Sequence, residues 1–139
     1  MSKVNTSMNA APPGHALRIL TVDDNRETAL SLKDAVEDFG DTAFVCFKGN
    51  EALELAASIR PDVILLDLSM PDIDGVDVAR ILRADVRLAG VKIIAVTAYG
   101  DAEARQKTAA AGFDLHLTKP VRFDVLSDML DLLRLAPKS

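Results

Sequence analysis

Two stretches of the chain, Val63-Ile64-Leu65-Leu66 and Ile93-Ile94-Ala95-Val96, are unbroken apolar runs rich in β-branched residues. Each is too short for a buried helix, and neither alternates with polar residues as a half-exposed strand does. A strand with this composition is covered on both faces, which is the environment of a parallel sheet with helices above and below. The runs extend as Val63–Leu66 and Val91–Val96, and three more read as strands: Ala16–Val22, Thr42–Phe47 and Phe113–Leu117. Between them the apolar residues recur at helical spacing: Leu32, Ala35, Val36 and Phe39; Ala52, Leu55, Ala56 and Ile59; Val78, Ile81 and Leu82; Leu126, Met129, Leu130 and Leu133. Ala102–Ala111 is helical by propensity more than by pattern. Gly40 and Gly112 stand where helix C-terminal caps are expected. The alternation predicts an α/β fold: parallel strands joined by right-handed helical crossovers. Ligands of such open sheets bind beyond the carboxyl ends of the strands, where the strand order reverses.

The length, 139 residues, suits one domain. Residues 1–15 carry Pro12, Pro13 and Gly14 and little to bury, which predicts a flexible tail before a domain over 16–135, with 136–139 as a C-terminal tail. The net charge of −5 argues against direct nucleic-acid binding. Cys46, the single cysteine, reads as a small core filler and excludes an intramolecular disulfide. No apolar run approaches the ~20 residues that span a bilayer, so no membrane insertion is expected. The N-terminus lacks the apolar core of a secretory signal, and the expected location is cytoplasmic.

Four predicted strand ends carry reactive groups. The first ends in Asp23-Asp24, the third in Asp67, the fourth in Thr97-Ala98 and the fifth in Thr118-Lys119-Pro120. Three crowded carboxylates repel, which raises at least one pKa unless a cation neutralises them. An all-oxygen, partly open site suits Mg²⁺, which binds through one or two carboxylates and keeps several waters. A carboxylate nucleophile, a metal, an ammonium group and a hydroxyl are the groups needed for phosphoryl transfer onto an Asp.

Asp23-Asp24, the run DVILLDLSMPDIDG from Asp62 to Gly75, Thr97-Ala98 and Lys119-Pro120 resemble the receiver domain of two-component response regulators over Leu17 to about Leu133. The resemblance implies a doubly wound, flavodoxin-like sheet of five parallel strands in order 2-1-3-4-5. It implies Mg²⁺-dependent phosphoryl transfer from the phosphohistidine of a histidine kinase or histidine phosphotransfer protein onto Asp67. Asp24, Asp67 and the backbone carbonyl of Ser69 would bind the metal directly, and Asp23 through a water. Lys119 would pair with Asp67 or its phosphoryl group, across an expected cis Lys119–Pro120 bond. Thr97 would swing toward the phosphate, beside a small Ala98. The domain would be a signalling phosphoacceptor rather than an enzyme acting on a separate substrate.

The family usually carries an aromatic switch residue three positions before the Lys, and here that position holds His116. His116 is therefore either a substitute switch coupled to Thr97 or a half-buried strand residue. Ser69 and Tyr99 occupy the positions that would flank water approaching the phosphoryl group, and so would control autodephosphorylation. Only four residues follow Leu135, so output is expected through a downstream protein partner, whether the receiver stands alone or belongs to a hybrid kinase. A haloacid-dehalogenase-like phosphatase needs a second Asp where Ser69 stands. An EF-hand loop counted from Asp67 would have Asp72 and Val78 where Gly and Glu are required. A flavodoxin shares the fold alone, and its flavin phosphate would meet the acidic Asp23-Asp24 edge.

Overall fold

The computed structural model of the chain describes residues 16–98, 100 and 102–135. The elements follow in the order β1 (Arg18–Val22), α1 (Arg26–Asp38), β2 (Thr42–Cys46), α2 (Gly49–Ile59), β3 (Val63–Asp67), α3 (Gly75–Ala84), a 3-10 turn (Val86–Leu88), β4 (Lys92–Thr97), α4 (Ala102–Ala110), β5 (Leu115–Thr118) and α5 (Phe123–Leu135). The five strands form one parallel sheet in the order β2-β1-β3-β4-β5.

The continuous apolarity of β3 and β4 has the cause inferred from it. Ile64, Leu66, Ile93 and Ala95 pack on one face with Ala52, Ala56, Val78 and Leu82, from α2 and α3. Val63, Leu65, Ile94 and Val96 pack on the other with Leu32, Val36, Leu126 and Leu130, from α1 and α5. Neighbouring residues of one strand thus enter opposite cores, as the pleat requires. Cys46 is buried in the first core, and burial pushes its thiol up to about 11, which leaves it an unreactive filler at neutral pH.

Element ends depart from the sequence pattern by a residue or two: β2 stops at Cys46, β4 starts at Lys92, and β5 starts at Leu115 because the Phe113 amide donates to the Thr108 carbonyl at 3.1 Å. β3 and β4 run one residue further than their apolar stretches, because Asp67 pairs with Val96 and Thr97 with Thr118 in the ladder. β1 starts at Arg18 rather than Ala16, since the Leu17 amide donates to the Asp41 carboxylate. Gly40 and Gly112 follow α1 and α4 at φ +92 and +99. α2 instead ends on a left-handed Arg60, a non-glycine residue directly before Pro61. Ile81, counted above in the helical pattern, is 49% exposed.

One tie joins opposite ends of the chain. Arg134, in the last turn of α5, meets Asp41, in the α1–β2 loop, through Nη1–Oδ1 (2.5 Å) and Nη2–Oδ2 (3.1 Å) contacts. The Asp41 side chain is wholly buried, and the Leu17 amide donates to the same Oδ1 at 2.9 Å.

Candidate functional site

The strand order reverses between β1 and β3, and the acidic residues lie there. Val22 is paired with Leu66, so Asp23 and Asp67 leave adjacent strands side by side. Asp23, Asp24 and Asp67 each offer a carboxylate oxygen, all within 4.8 Å of one another. Asp23 and Asp67 are buried, at 1% and 2% exposure, whereas Asp24 opens to solvent. β5 brings the cation: the Lys119 amide donates to the Thr97 carbonyl at 2.8 Å, and the side chain crosses the strand ends. Lys119 Nζ lies 3.1 Å from Asp23 Oδ2 and 3.5 Å from Asp67 Oδ1, so it bridges two carboxylates and sits closer to Asp23. The Lys119–Pro120 peptide bond is cis.

Local hydrogen bonds aim these carboxylates. Asp23 Oδ1 accepts the Asn25 amide at 2.9 Å, and Asn25 in turn caps α1 by accepting the Thr28 amide. Asp67 Oδ1 accepts the Ser69 amide at 3.1 Å. Asp67 Oδ2 is buried and has no hydrogen-bond partner among the described residues. Gly75 makes this close packing possible: a Cβ there would lie 2.7 Å from the Asp67 carbonyl oxygen and from Leu68 Cα.

The electrostatics follow from the counting of charges. Burial pushes the Asp67 carboxyl up to about 6, with the Asp23 carboxylate adding to the rise and the Ser69 amide and Lys119 opposing it. Lys119 is also raised: burial works against its charge, but the contacts with Asp23 and Asp67 outweigh it. One ammonium thus faces three carboxylates, one of which has an unbonded buried oxygen. A hard divalent cation with oxygen ligands fits this donor set. A group with a pKa of about 6 is still mostly carboxylate at pH 7, so Asp67 keeps its charge.

Thr97 is 1% exposed at the end of β4, on the wall of an open cavity shared with Leu68, Ser69 and α4 residues Glu103 and Lys107. His116 is half-buried on β5, with Nδ1 3.5 Å from Thr108 Oγ1 of α4. Thr108 gives its hydroxyl proton to the Arg105 carbonyl, so this contact is a hydrogen bond only when His116 Nδ1 carries a proton. Thr108 is the buried residue of α4, and nothing in its sequence context marks it as the neighbour of His116. Tyr99 lies outside the described residues, as do residues 1–15 and 136–139. Sequence reasoning placed Lys119 against Asp67 and missed its shorter contact with Asp23. The available signal was the position of Asp23 at the end of β1, beside β3, which sets its carboxylate as near to a lysine crossing the strand ends as that of Asp67.

The family model of the response regulator receiver domain matches residues 19–131. The response regulator MprA of Mycobacterium ulcerans is 38% identical over 120 residues, which cover 86% of this chain and 51% of that protein. The polar-differentiation response regulator DivK of Brucella anthropi is 31% identical over 103 residues, 74% of this chain and 84% of DivK. The signal transduction histidine-protein kinase BarA of Escherichia coli is 32% identical over 124 residues, 13% of its length. The chain therefore spans about half of MprA and a small part of BarA. Among solved structures, the Francisella response regulator 1452 receiver domain is 31% identical with a TM-score of 0.79, covering 85% of this chain and 96% of that one. The chemotaxis protein CheY4 of Vibrio cholerae is 26% identical with a TM-score of 0.81, covering 86% and 99%.

Proposed function

Since the chain belongs to the response regulator receiver domain family of two-component signalling, we propose that Asp67 is its phosphoacceptor and that the receiver unit comprises residues 16–135. The observation that carries this reading is the buried Asp67 carboxylate, with one oxygen unbonded, beside Asp23, Asp24 and Lys119. Mg²⁺ would be held by Asp24, Asp67 and the Ser69 carbonyl, with Asp23 acting through a water, and it supplies positive charge for the phosphoryl oxygens.

The chain's own groups do the rest. The Asp67 carboxylate attacks phosphorus in line with the donor's P–N bond; an O–P bond forms, and the electron pair of the P–N bond leaves with the donor imidazole. The transferred group spreads negative charge over its three outer oxygens, so catalysis is mainly positioning and neutralisation. Lys119 then exchanges part of its contact with Asp23 and Asp67 for a phosphoryl oxygen. Thr97 donates its hydroxyl to another, and that movement is passed to His116 and the α4 face. Ser69 borders the path of the hydrolytic water, and Tyr99 is assigned the same role by its sequence position alone, two residues beyond Thr97. The donor is a histidine kinase or a histidine phosphotransfer protein, and the switched surface binds a downstream protein. The domain acts on no separate substrate. Its site of action is the cytoplasm, and among the described residues no helix is long and apolar enough to cross a membrane.

Lys119 provides the test of these roles. With Mg²⁺ and acetyl phosphate, Lys119→Ala is expected to be phosphorylated more slowly and to lose the conformational response, followed by amide exchange in α4 and β5. Lys119→Arg is expected to behave like Lys119→Ala, because a planar guanidinium does not replace a compact ammonium between two buried carboxylates. A Lys119→Arg protein that responds as wild type does would contradict the assignment.

A further inference from the structure

α2 lacks a cap of its own. Lys48, which precedes it, makes no side-chain hydrogen bond to the first turn. The missing acceptor comes from another element: Asp72, in the β3–α3 loop, takes the Gly49 amide on Oδ1 at 3.1 Å and the Asn50 amide on Oδ2 at 3.0 Å. Both carboxylate oxygens are thus spent on the two leading amides of a neighbouring helix, where the helix dipole also favours a negative charge. The amides of Asn50 and Gly49 hold the Asp72 carboxyl below its ordinary range.

The same two segments are in direct van der Waals contact. A Cβ on Gly49 would overlap Ile73 Cγ2, and would come within 3.3 Å of Met70 Cε. The loop is also fixed at its base. The Ser69 amide is bonded to Asp67, and the Gly75 amide donates to the Leu68 carbonyl at 3.3 Å. Leu68 to Asp74 is therefore tied down at its root by Asp67 and at its crown by Asp72, with Ser69 between the two.

The geometry points to Asp72 as a positioning residue: by capping α2 it fixes the β3–α3 loop and so aims the Ser69 carbonyl at the metal site. This rests on the receiver reading above for the role of Ser69. Asp72 itself touches neither Asp67 nor the metal ligands; it acts through the loop.

The test is calorimetric titration of Mg²⁺ into the whole chain. Asp72→Ala is expected to weaken Mg²⁺ binding about tenfold, the effect seen when a residue supporting a metal ligand is lost. Asp72→Asn keeps one acceptor oxygen for one of the two amides, so its affinity should fall between wild type and Asp72→Ala; it also serves if Asp72→Ala does not fold. Asp85→Ala is the control. It strips the cap of the 3-10 turn that follows α3, where Asp85 accepts the Arg87 amide, and should leave Mg²⁺ affinity unchanged. Amide exchange in the metal-free proteins should quicken at Gly49, Asn50 and Ser69 in Asp72→Ala. Mg²⁺ affinity within twofold of wild type in that variant, or an equal loss in Asp85→Ala, overturns the proposal. A wild-type chain that takes up no Mg²⁺ counts against the receiver reading instead. Exchange at Ser69 then decides the positioning role alone, and no change there overturns it.

Discussion

Asp67→Asn is expected to take up no phosphoryl group from acetyl phosphate or a phosphohistidine donor, and to be more stable than wild type when metal is absent. Both results follow from one carboxylate. The amide keeps the shape of the side chain but lacks the attacking oxygen, so phosphorylation falls below detection. The stability change follows from the charge. The folded protein raises the Asp67 carboxyl from 3.8 to about 6, so the native state binds this proton more tightly than the unfolded chain does. Stability from this group is therefore full below pH 4, falls as pH rises through about 6, and then levels off. Urea unfolding of the metal-free proteins at pH 4 and pH 7.5 checks the sign: the advantage of Asp67→Asn should be large at pH 7.5 and small at pH 4. Mg²⁺ should remove most of the difference by stabilising wild type. An Asn variant less stable than wild type at pH 7.5 without metal would show that the carboxylate cluster is not under strain.

The second large effect lies far from the site. Arg134→Ala is expected to cost about 3 kcal/mol, because it leaves the wholly buried Asp41 carboxylate with the Leu17 amide in place of a bidentate guanidinium. Asp41→Asn combined with Arg134→Met should recover part of that loss, since the buried charge and its counter-charge go together. Denaturant midpoints of the single and double variants measure the coupling. Additive losses in the double variant would mean that the pair contributes packing rather than charge compensation.

The two effects also mark what sequence can and cannot disclose. The sheet was legible because Val63–Leu66 and Ile93–Val96 leave no polar residue to face water, which forces helices onto both faces. The acidic site was legible because Asp23, Asp24, Asp67, Thr97 and Lys119 each follow or end an apolar run, and the fold class gathers such ends on one edge. Contacts that depend on three-dimensional proximity alone were not. Asp41 and Arg134 are 93 residues apart, and neither lies in a pattern that names the other. Asp72 reads locally as a turn residue, yet it caps a helix that begins 23 residues earlier. Arg60 ends α2 in a left-handed conformation that its residue type disfavours, with Pro61 as the sole local hint that the helix must stop. α4 presents no apolar stripe, and its placement rests on propensity and on the contact of Thr108 with β5.

The proposed role of Asp67, to receive the phosphoryl group, can be measured directly. The direct measurement is to incubate the whole chain with Mg²⁺ and acetyl phosphate, trap the acyl phosphate by borohydride reduction, and locate the modified residue by peptide mass spectrometry. The expected result is an acid-stable, base-labile adduct, dependent on Mg²⁺, that maps to Asp67 and to neither Asp23 nor Asp24. A stable adduct on another residue, or none in wild type under conditions where Mg²⁺ binds, would contradict it.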